Sequence, residues 1–299
     1  MEEAEKSGRA HTTAENCYHA QNLRGFSLHL GSVFDSTLSS WPGEPAVIGL
    51  RRQGGQVHEV FRRGPVDQVR AWASVSKTLA GLEFALLLEG DPDLGRLPVG
   101  PEGSTLAHLL AHASGLGFEA DSPRVPVGTK RVYSNLGIDL AVEAMSDGEA
   151  ADFWDRKIFR PLDAKANLEG RPSTGVVGSC LDLAKLASEW LNPTLVSVAN
   201  RDAVRTVFLP ELSGVVPGYG RFDPCWWGLG VEINGLKQHW MGEWPELSFG
   251  HFGQSGAFLL VNLEEGIALV ATSSVEFGPW AKDVFHQVTS EARRELLAT

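Results

Sequence analysis

Apolar and polar positions change period several times along the chain, and each change marks an element. Residues up to about Gln21 are polar and aperiodic, and predict a loosely packed leader. Leu23, Phe26, Leu30 and Phe34 then recur at helical spacing, predicting an amphipathic helix before the turn at Trp41-Pro42-Gly43. Two β-rich runs, Pro45 to Arg52 and Val57 to Arg63, flank Gly54-Gly55 and read as a hairpin. From Ser74 to about Gly90 the positions Leu79, Leu82 and Leu86 are helical, with apolar residues on most sides, as in a buried central helix. Further helices are expected near Leu106 to His112, Leu136 to Met145, Asp152 to Phe159 and Leu181 to Leu191. Strand-like runs return at Gly228 to Ile233, Phe258 to Asn262 and Ile267 to Thr272, before an amphipathic helix from about Trp280 to Leu297. The pattern predicts an α+β fold in which an antiparallel β-sheet, built from both ends of the chain, is flanked by helices, with a mainly helical region inserted between its halves. In numbers, 1–21 is a leader and 22–299 a single unit, with sheet regions at about 22–73 and 200–299 and the helical region at about 74–199.

Composition narrows the function classes. The 299 residues are 43% hydrophobic, ordinary for a globular protein, and no repeat or low-complexity tract interrupts them. A formal net charge of -11 leaves no basic excess to displace counterions, which argues against nucleic acid or an anionic membrane as partner. The pairs Arg51-Arg52 and Arg62-Arg63 read as solvated strand ends. The first residues, Met1 to Gly8, are polar and acidic where a secretory signal needs a basic and then an apolar stretch, so a cytoplasmic location is expected. No apolar run is long enough to span a bilayer. Cys17, Cys180 and Cys225 are odd in number and widely spaced, which fits reduced thiols better than disulfides or a four-ligand zinc site.

The chemistry is concentrated at Ser74 and Lys77. Their spacing puts hydroxyl and amine on one helical face, with Cβ atoms about 5–6 Å apart, so the amine can take the hydroxyl's proton. Ser76, adjacent to Lys77, points elsewhere. A lysine at its free pKa of about 10.4 is protonated at neutral pH, so Lys77 has to be desolvated or coupled to another proton acceptor. Two later elements follow: Tyr133-Ser134-Asn135, and Gly250-His251-Phe252-Gly253-Gln254 leading into an apolar strand-like run. His108 and His112 have the spacing of a two-histidine metal pair but lack the glutamate after His108 and a third ligand, so no metal or other cofactor is expected. Ser255, in Gly253-Gln254-Ser255-Gly256-Ala257, lacks the last glycine and the following helix of a nucleophile elbow. Trp226, Trp227, Trp240 and Trp244 crowd the sequence before His251 and are candidates for a pocket wall, with core packing as the alternative.

The order Ser-x-x-Lys, Tyr-x-Asn and Lys/His-x-Gly resembles the serine β-lactamase and penicillin-binding-protein superfamily, and within it the class C β-lactamase-related hydrolases. Leu109-Leu110-Ala111-His112-Ala113-Ser114-Gly115-Leu116, Phe159-Arg160-Pro161-Leu162 and Gly178 to Ala187 resemble further blocks of that family, so that the likeness runs from about Trp41 to about Ser274. The resemblance implies an α/β sandwich with a helical subdomain, a β-lactamase/transpeptidase-like fold, and an acyl-enzyme mechanism without a cofactor. It makes Ser74 the nucleophile, lets Lys77 and Tyr133 share the acid and base roles, and has Asn135 orient the lysine or the substrate carbonyl. The backbone N–H groups of Ser74 and Gln254, after Gly253, become the oxyanion hole, and His251 joins the site with its role open. His112 is implied to hold the loop before Gly115. The expected partner is a small ester or amide, with a β-lactam or D-amino-acid peptide as runner-up and a catalytically idle binder as the remaining alternative. His251-Phe252-Gly253 stands where a Lys-Thr-Gly strand would hold a drug's carboxylate. The segment between Ser74 and Tyr133 is shorter than in well-known class C enzymes.

Overall fold

The computed structural model describes residues 33–298. The expected leader at 1–21 and most of the expected helix through Leu23, Phe26 and Leu30 lie outside these residues; residues 33–38, which include Phe34, form α1. The hairpin forms as expected, with β1 (Ala46–Gln53) and β2 (Gln56–Arg63) turning at Gly54-Gly55. Together with β8 (Glu232–Ile233), β9 (Phe249–Phe252), β10 (Phe258–Asn262) and β11 (Ile267–Thr272) it builds one antiparallel sheet, ordered β2-β1-β11-β10-β9-β8. Chain ends thus meet at the sheet centre, where Ala46 pairs with Thr272 and Arg51 with Ile267.

Central strands are apolar at nearly every position because both faces are covered. Ala46, Ile48, Ala268 and Val270 face α6 (Cys180–Leu191), whose Leu183, Ala187 and Trp190 share their core. Val47, Ile267, Leu269 and Ala271 face the opposite way, against Phe285, Val288 and Ala292 of the terminal helix α8 (Pro279–Ala298). Ser179 and Asp182 close a capping box at the start of α6, each satisfying a backbone N–H of the other. The architecture is the α+β arrangement that the pattern predicts, an antiparallel sheet between helices.

The region between β2 and β8 carries α2 (Lys77–Leu87), α3 (Leu106–Leu110), α4 (Asn135–Ser146), α5 (Ala150–Trp154) and α7 (Val198–Val204) besides α6. It also holds two small antiparallel sheets, β3 (Arg70–Ala71) with β5 (Val176–Gly178) and β4 (Asn167–Leu168), and β6 (Gly214–Val216) with β7 (Gly220–Phe222).

Three expectations change. The central α-helix begins at Lys77 rather than Ser74, because Ala73 takes a left-handed φ of 47° and residues 73–76 form a 3-10 turn. A non-glycine residue in that region costs roughly 1–2 kcal/mol, so the surrounding fold forces the bend beside Ser74. The strand expected from Gly228 is only Glu232–Ile233. Ahead of it the backbone bonds sideways, Leu229 N–H to Val204 O and Gly230 N–H to Leu110 O, and a Cβ on Gly230 would sit 2.8 Å from Lys77 O. The helix expected through His112 stops at Leu110, and His112 lies at φ 57°.

Candidate active site

The 3-10 turn and first turn of α2 place Ser74 Oγ 3.0 Å from Lys77 Nζ. The same ammonium nitrogen reaches Asn135 Oδ1 at 2.8 Å and the Ser173 carbonyl at 2.8 Å, so all three hydrogen-bonding directions of the amine are taken. Ser76 is spent on the scaffold: its hydroxyl donates to Ala73 O and accepts from Val176 N–H, stitching the turn to β5.

Tyr133 and Asn135 arrive from the start of α4. Ser134 is the N-cap, accepting from Gly137 N–H at 2.9 Å and donating to Gly117 O, which fixes the residues on either side of it. Behind Tyr133, the ring of His112 packs at 4.6 Å between centroids, and His112 Nδ1 accepts the Ser134 N–H. His112 therefore supports Tyr133 from behind, and its one side-chain hydrogen bond runs to Ser134 rather than to the loop before Gly115. Lys77 Nζ lies 4.9 Å from the centre of the Tyr133 ring.

Two carboxylates bridged by one arginine lock the acceptors of Lys77. Asn135 Nδ2 donates to Glu119 at 3.0 Å, which commits Asn135 Oδ1 to the lysine, and Ser173 N–H donates to Asp139 at 2.8 Å, which fixes the Ser173 peptide. Arg171 joins them, donating to Glu119 at 2.7 Å and to Asp139 at 2.5 Å. Sequence reading missed this clamp, because its members are scattered and each resembles an ordinary surface charge.

His251 sits inside the sheet rather than at its edge, on β9 between β8 and β10, and is buried. Its Nδ1 lies 2.6 Å from the Phe252 carbonyl, so Nδ1 carries the proton and Nε2 accepts from Tyr133 Oη at 3.4 Å. Gly253 is pressed against the nucleophile turn: a Cβ there would meet Trp72 O at 2.4 Å and Ser74 N at 3.2 Å. Gln254 is held by reciprocal bonds with Phe277, N–H of Phe277 to Gln254 O and Gln254 Nε2 to Phe277 O. The peptides of Ser74, Gly253 and Gln254 are thereby brought together at the mouth of the cleft.

Burial sets the proton inventory. Desolvation draws Lys77 down to about 7; Asp139 and Glu119 pull it up and Arg171 pushes it down. The Tyr133 phenol is pushed upward by burial, against the pull of the Ser74 hydroxyl, so it stays protonated at neutral pH. Desolvation and the nearby lysine lower His251 to about 3, and it is neutral. The arrangement is a hydroxyl beside an amine that titrates near neutrality and can accept its proton, with a phenol as proton donor.

The cleft around Ser74 holds about 280 Å³. Tyr133, Asn135, His251 and Gln254 line it together with an apolar set, Phe118, Val216, Pro217, Trp227 and Phe252. Of the four tryptophans only Trp227 lines it. Trp226 bonds to Pro210 O, Trp244 to Thr289 O, and Trp240 to the buried Glu232, which also accepts from Lys237 at 2.9 Å and His239 at 2.7 Å. Ser255 lies in the turn between two strands, without the helix an elbow requires. His108 bonds to Thr105, and among the described residues no group of histidines, cysteines and carboxylates could hold a metal ion. Nor is any described helix long and apolar enough to cross a membrane.

A family model described as β-lactamase matches residues 46–167. A β-lactamase from Mycobacterium bovis is 34% identical over 88% of this chain and 99% of its own, with a TM-score of 0.82. A penicillin-binding-protein homologue from Caulobacter crescentus shares the fold at 17% identity and a TM-score of 0.71, over 90% and 97% of the two chains. So does EstCE1, a hydrolase with promiscuous acyltransferase activity, at 13% identity and 0.68 over 89% and 100%. No curated protein matches by sequence.

Proposed function

We propose that this chain, which belongs to the β-lactamase family of serine hydrolases, is an esterase that works through an acyl-enzyme on Ser74. The observation that carries the reading is the buried Lys77 amine, its pKa drawn down to about 7, held 3.0 Å from Ser74 Oγ. Lys77 takes the Ser74 proton as Oγ attacks the ester carbonyl, and the oxyanion is met by the backbone N–H groups of Ser74 and Gln254. When the C–O bond breaks, Tyr133 hands its proton to the departing alkoxide, and the Lys77 ammonium, which has no direct bond to the phenol, returns a proton to it through a water in the cleft. Water then repeats the sequence: it gives its proton to Lys77 and attacks the acyl carbon, and Ser74 leaves with a proton. Asn135 keeps the amine aimed at Ser74, and His251, neutral, holds the Tyr133 hydroxyl in register until its proton turns to the departing oxygen.

The apolar lining of the cleft favours a short acyl chain. A β-lactam is the second reading, supported by the likeness to the Mycobacterium bovis protein. Against it, the position that would grip a drug's carboxylate holds a neutral histidine and bulky Phe252, so a fixed positive charge is missing at that point. Purified protein should turn over p-nitrophenyl butyrate with a higher kcat/KM than a chromogenic cephalosporin, and a fluorophosphonate should add one group to the native chain and none to Ser74→Ala. A cephalosporin preferred by about tenfold, or roughly 1.4 kcal/mol at the transition state, replaces esterase by β-lactamase. Failure of the native protein to label leaves a binding protein without catalysis.

A further inference from the structure

The space beside Ser74 does not end at Tyr133. A second groove, of about 390 Å³, continues beyond it and shares Phe118, Tyr133 and Pro217 with the nucleophile cleft. Its outer part is lined by Lys130, Arg131 and Arg221, and by no carboxylate. That is a local reversal of sign in a chain of net charge -11. Lys130 and Arg221 are exposed; Arg221 meets Asp223 only at 3.7 Å and leans across the groove wall to Ser213 Oγ at 3.4 Å. Arg131 is buried beneath them, and its guanidinium donates to the carbonyls of Ala111, Leu209, Cys225 and Phe208. Among the described residues neither Arg131 nor Lys130 forms an ion pair; Glu211 attracts Arg131 only at a distance, and the carbonyl dipoles hold the Arg131 charge in place without cancelling it.

Direction follows from the chemistry. The donor of the leaving-group proton has to touch the departing oxygen, so the leaving group lies against Tyr133, and the groove opens from Tyr133. We propose that this groove is the leaving-group subsite, and that the natural substrate is an ester whose alcohol part carries an anion, a carboxylate or phosphate, recognised by Lys130 and Arg221 above the fixed charge of Arg131. The proposal rests on the esterase reading. It differs from β-lactam recognition, since a cephalosporin's carboxylate sits on the carbon next to the scissile nitrogen and falls at His251 and Phe252, short of the cations. Lys130 and Arg221 line only the outer groove.

The test compares kcat/KM for 4-carboxyphenyl butyrate with its neutral isostere 4-carbamoylphenyl butyrate, and repeats the pair with one methylene inserted before the charged group. In the native protein the anionic member of at least one pair should be preferred by about tenfold at low salt, and the preference should shrink as ionic strength rises. In the double variant Lys130→Glu, Arg221→Glu the ratio should fall below one, while Lys130→Arg should keep it. Because the readout is a ratio within each protein, loss of folded enzyme cancels. A ratio near one in both pairs, or a preference that survives charge reversal, overturns the subsite. Failure of all four butyrates overturns the esterase reading instead.

Discussion

Asp139→Asn and Arg171→Gln should move the acidic limb of the kcat/KM profile in opposite directions. Both residues act on Lys77 without touching substrate, Asp139 through the Ser173 peptide and Arg171 through Asp139 and Glu119. The charged or titratable groups acting on Lys77 are Asp139 and Glu119, which raise it, and Arg171, which lowers it; His112 and His251 are held neutral. Two hydrogen bonds of 2.8 Å and the Ser173 backbone from N to O, roughly 3 Å, separate the Asp139 carboxylate from the amine, a path of roughly 9 Å. Coulomb's law over roughly 9 Å gives about 0.5 kcal/mol at the dielectric of water and about 1.8 at an effective value near 20. With 1.36 kcal/mol per pH unit, the limb should shift by about a third of a unit to somewhat over one. Removing the Asp139 charge favours the neutral amine, so the limb moves to lower pH from its native place near 7; removing the Arg171 charge favours the ammonium and moves it up. Profiles of p-nitrophenyl butyrate hydrolysis between about pH 5 and 9 read both shifts, and the height of the plateau reads any loss of alignment separately. If both variants move the limb the same way, or leave it fixed while only the plateau drops, the clamp is scaffold and does not tune the base.

Tyr133→Phe and Lys77→Ala should each lower kcat by at least about two orders of magnitude, and the double variant should be little worse than the poorer single, because the two groups pass one proton between them. A folded Tyr133→Phe protein with near-native turnover would assign the leaving-group proton to Lys77 alone. Gly253→Ala should cost about two to three orders of magnitude in kcat, since its Cβ would lie 2.4 Å from Trp72 O and force β9 away from the Ser74 peptide, opening the oxyanion hole. Circular dichroism checks that the fold is kept, and unchanged turnover would place the oxyanion donors elsewhere.

The parts of the site that were legible in the sequence are those whose geometry is local. Ser74 and Lys77 lie three residues apart, and Tyr133 and Asn135 flank a serine that caps a helix; short spacing is enough to put such groups on one face. Continuous apolar runs likewise made the central strands readable, and Ala46 to Leu50 is apolar throughout because α6 and α8 cover opposite faces of the sheet. What sequence spacing missed was set by contacts across the chain. Arg171 meets Glu119 from 52 residues away and Asp139 from 32, and each half of the clamp alone resembles a solvated surface charge. The bend at Ala73 was hidden for a related reason: alanine is a strong helix former, and only the packing of Gly253 against Trp72 and Ser74 shows why the chain cannot continue as helix there. The role of His251 stayed open because the shortness of β8 gives no periodic signal, yet that strand, whose buried Glu232 is paired with Lys237, supplies the neighbour that puts β9 inside the sheet. Ser74 and Lys77 are therefore encoded next to each other, whereas the groups that set the lysine's pKa are encoded far apart. Substitutions in that outer set can retune the working pH while every family motif stays intact.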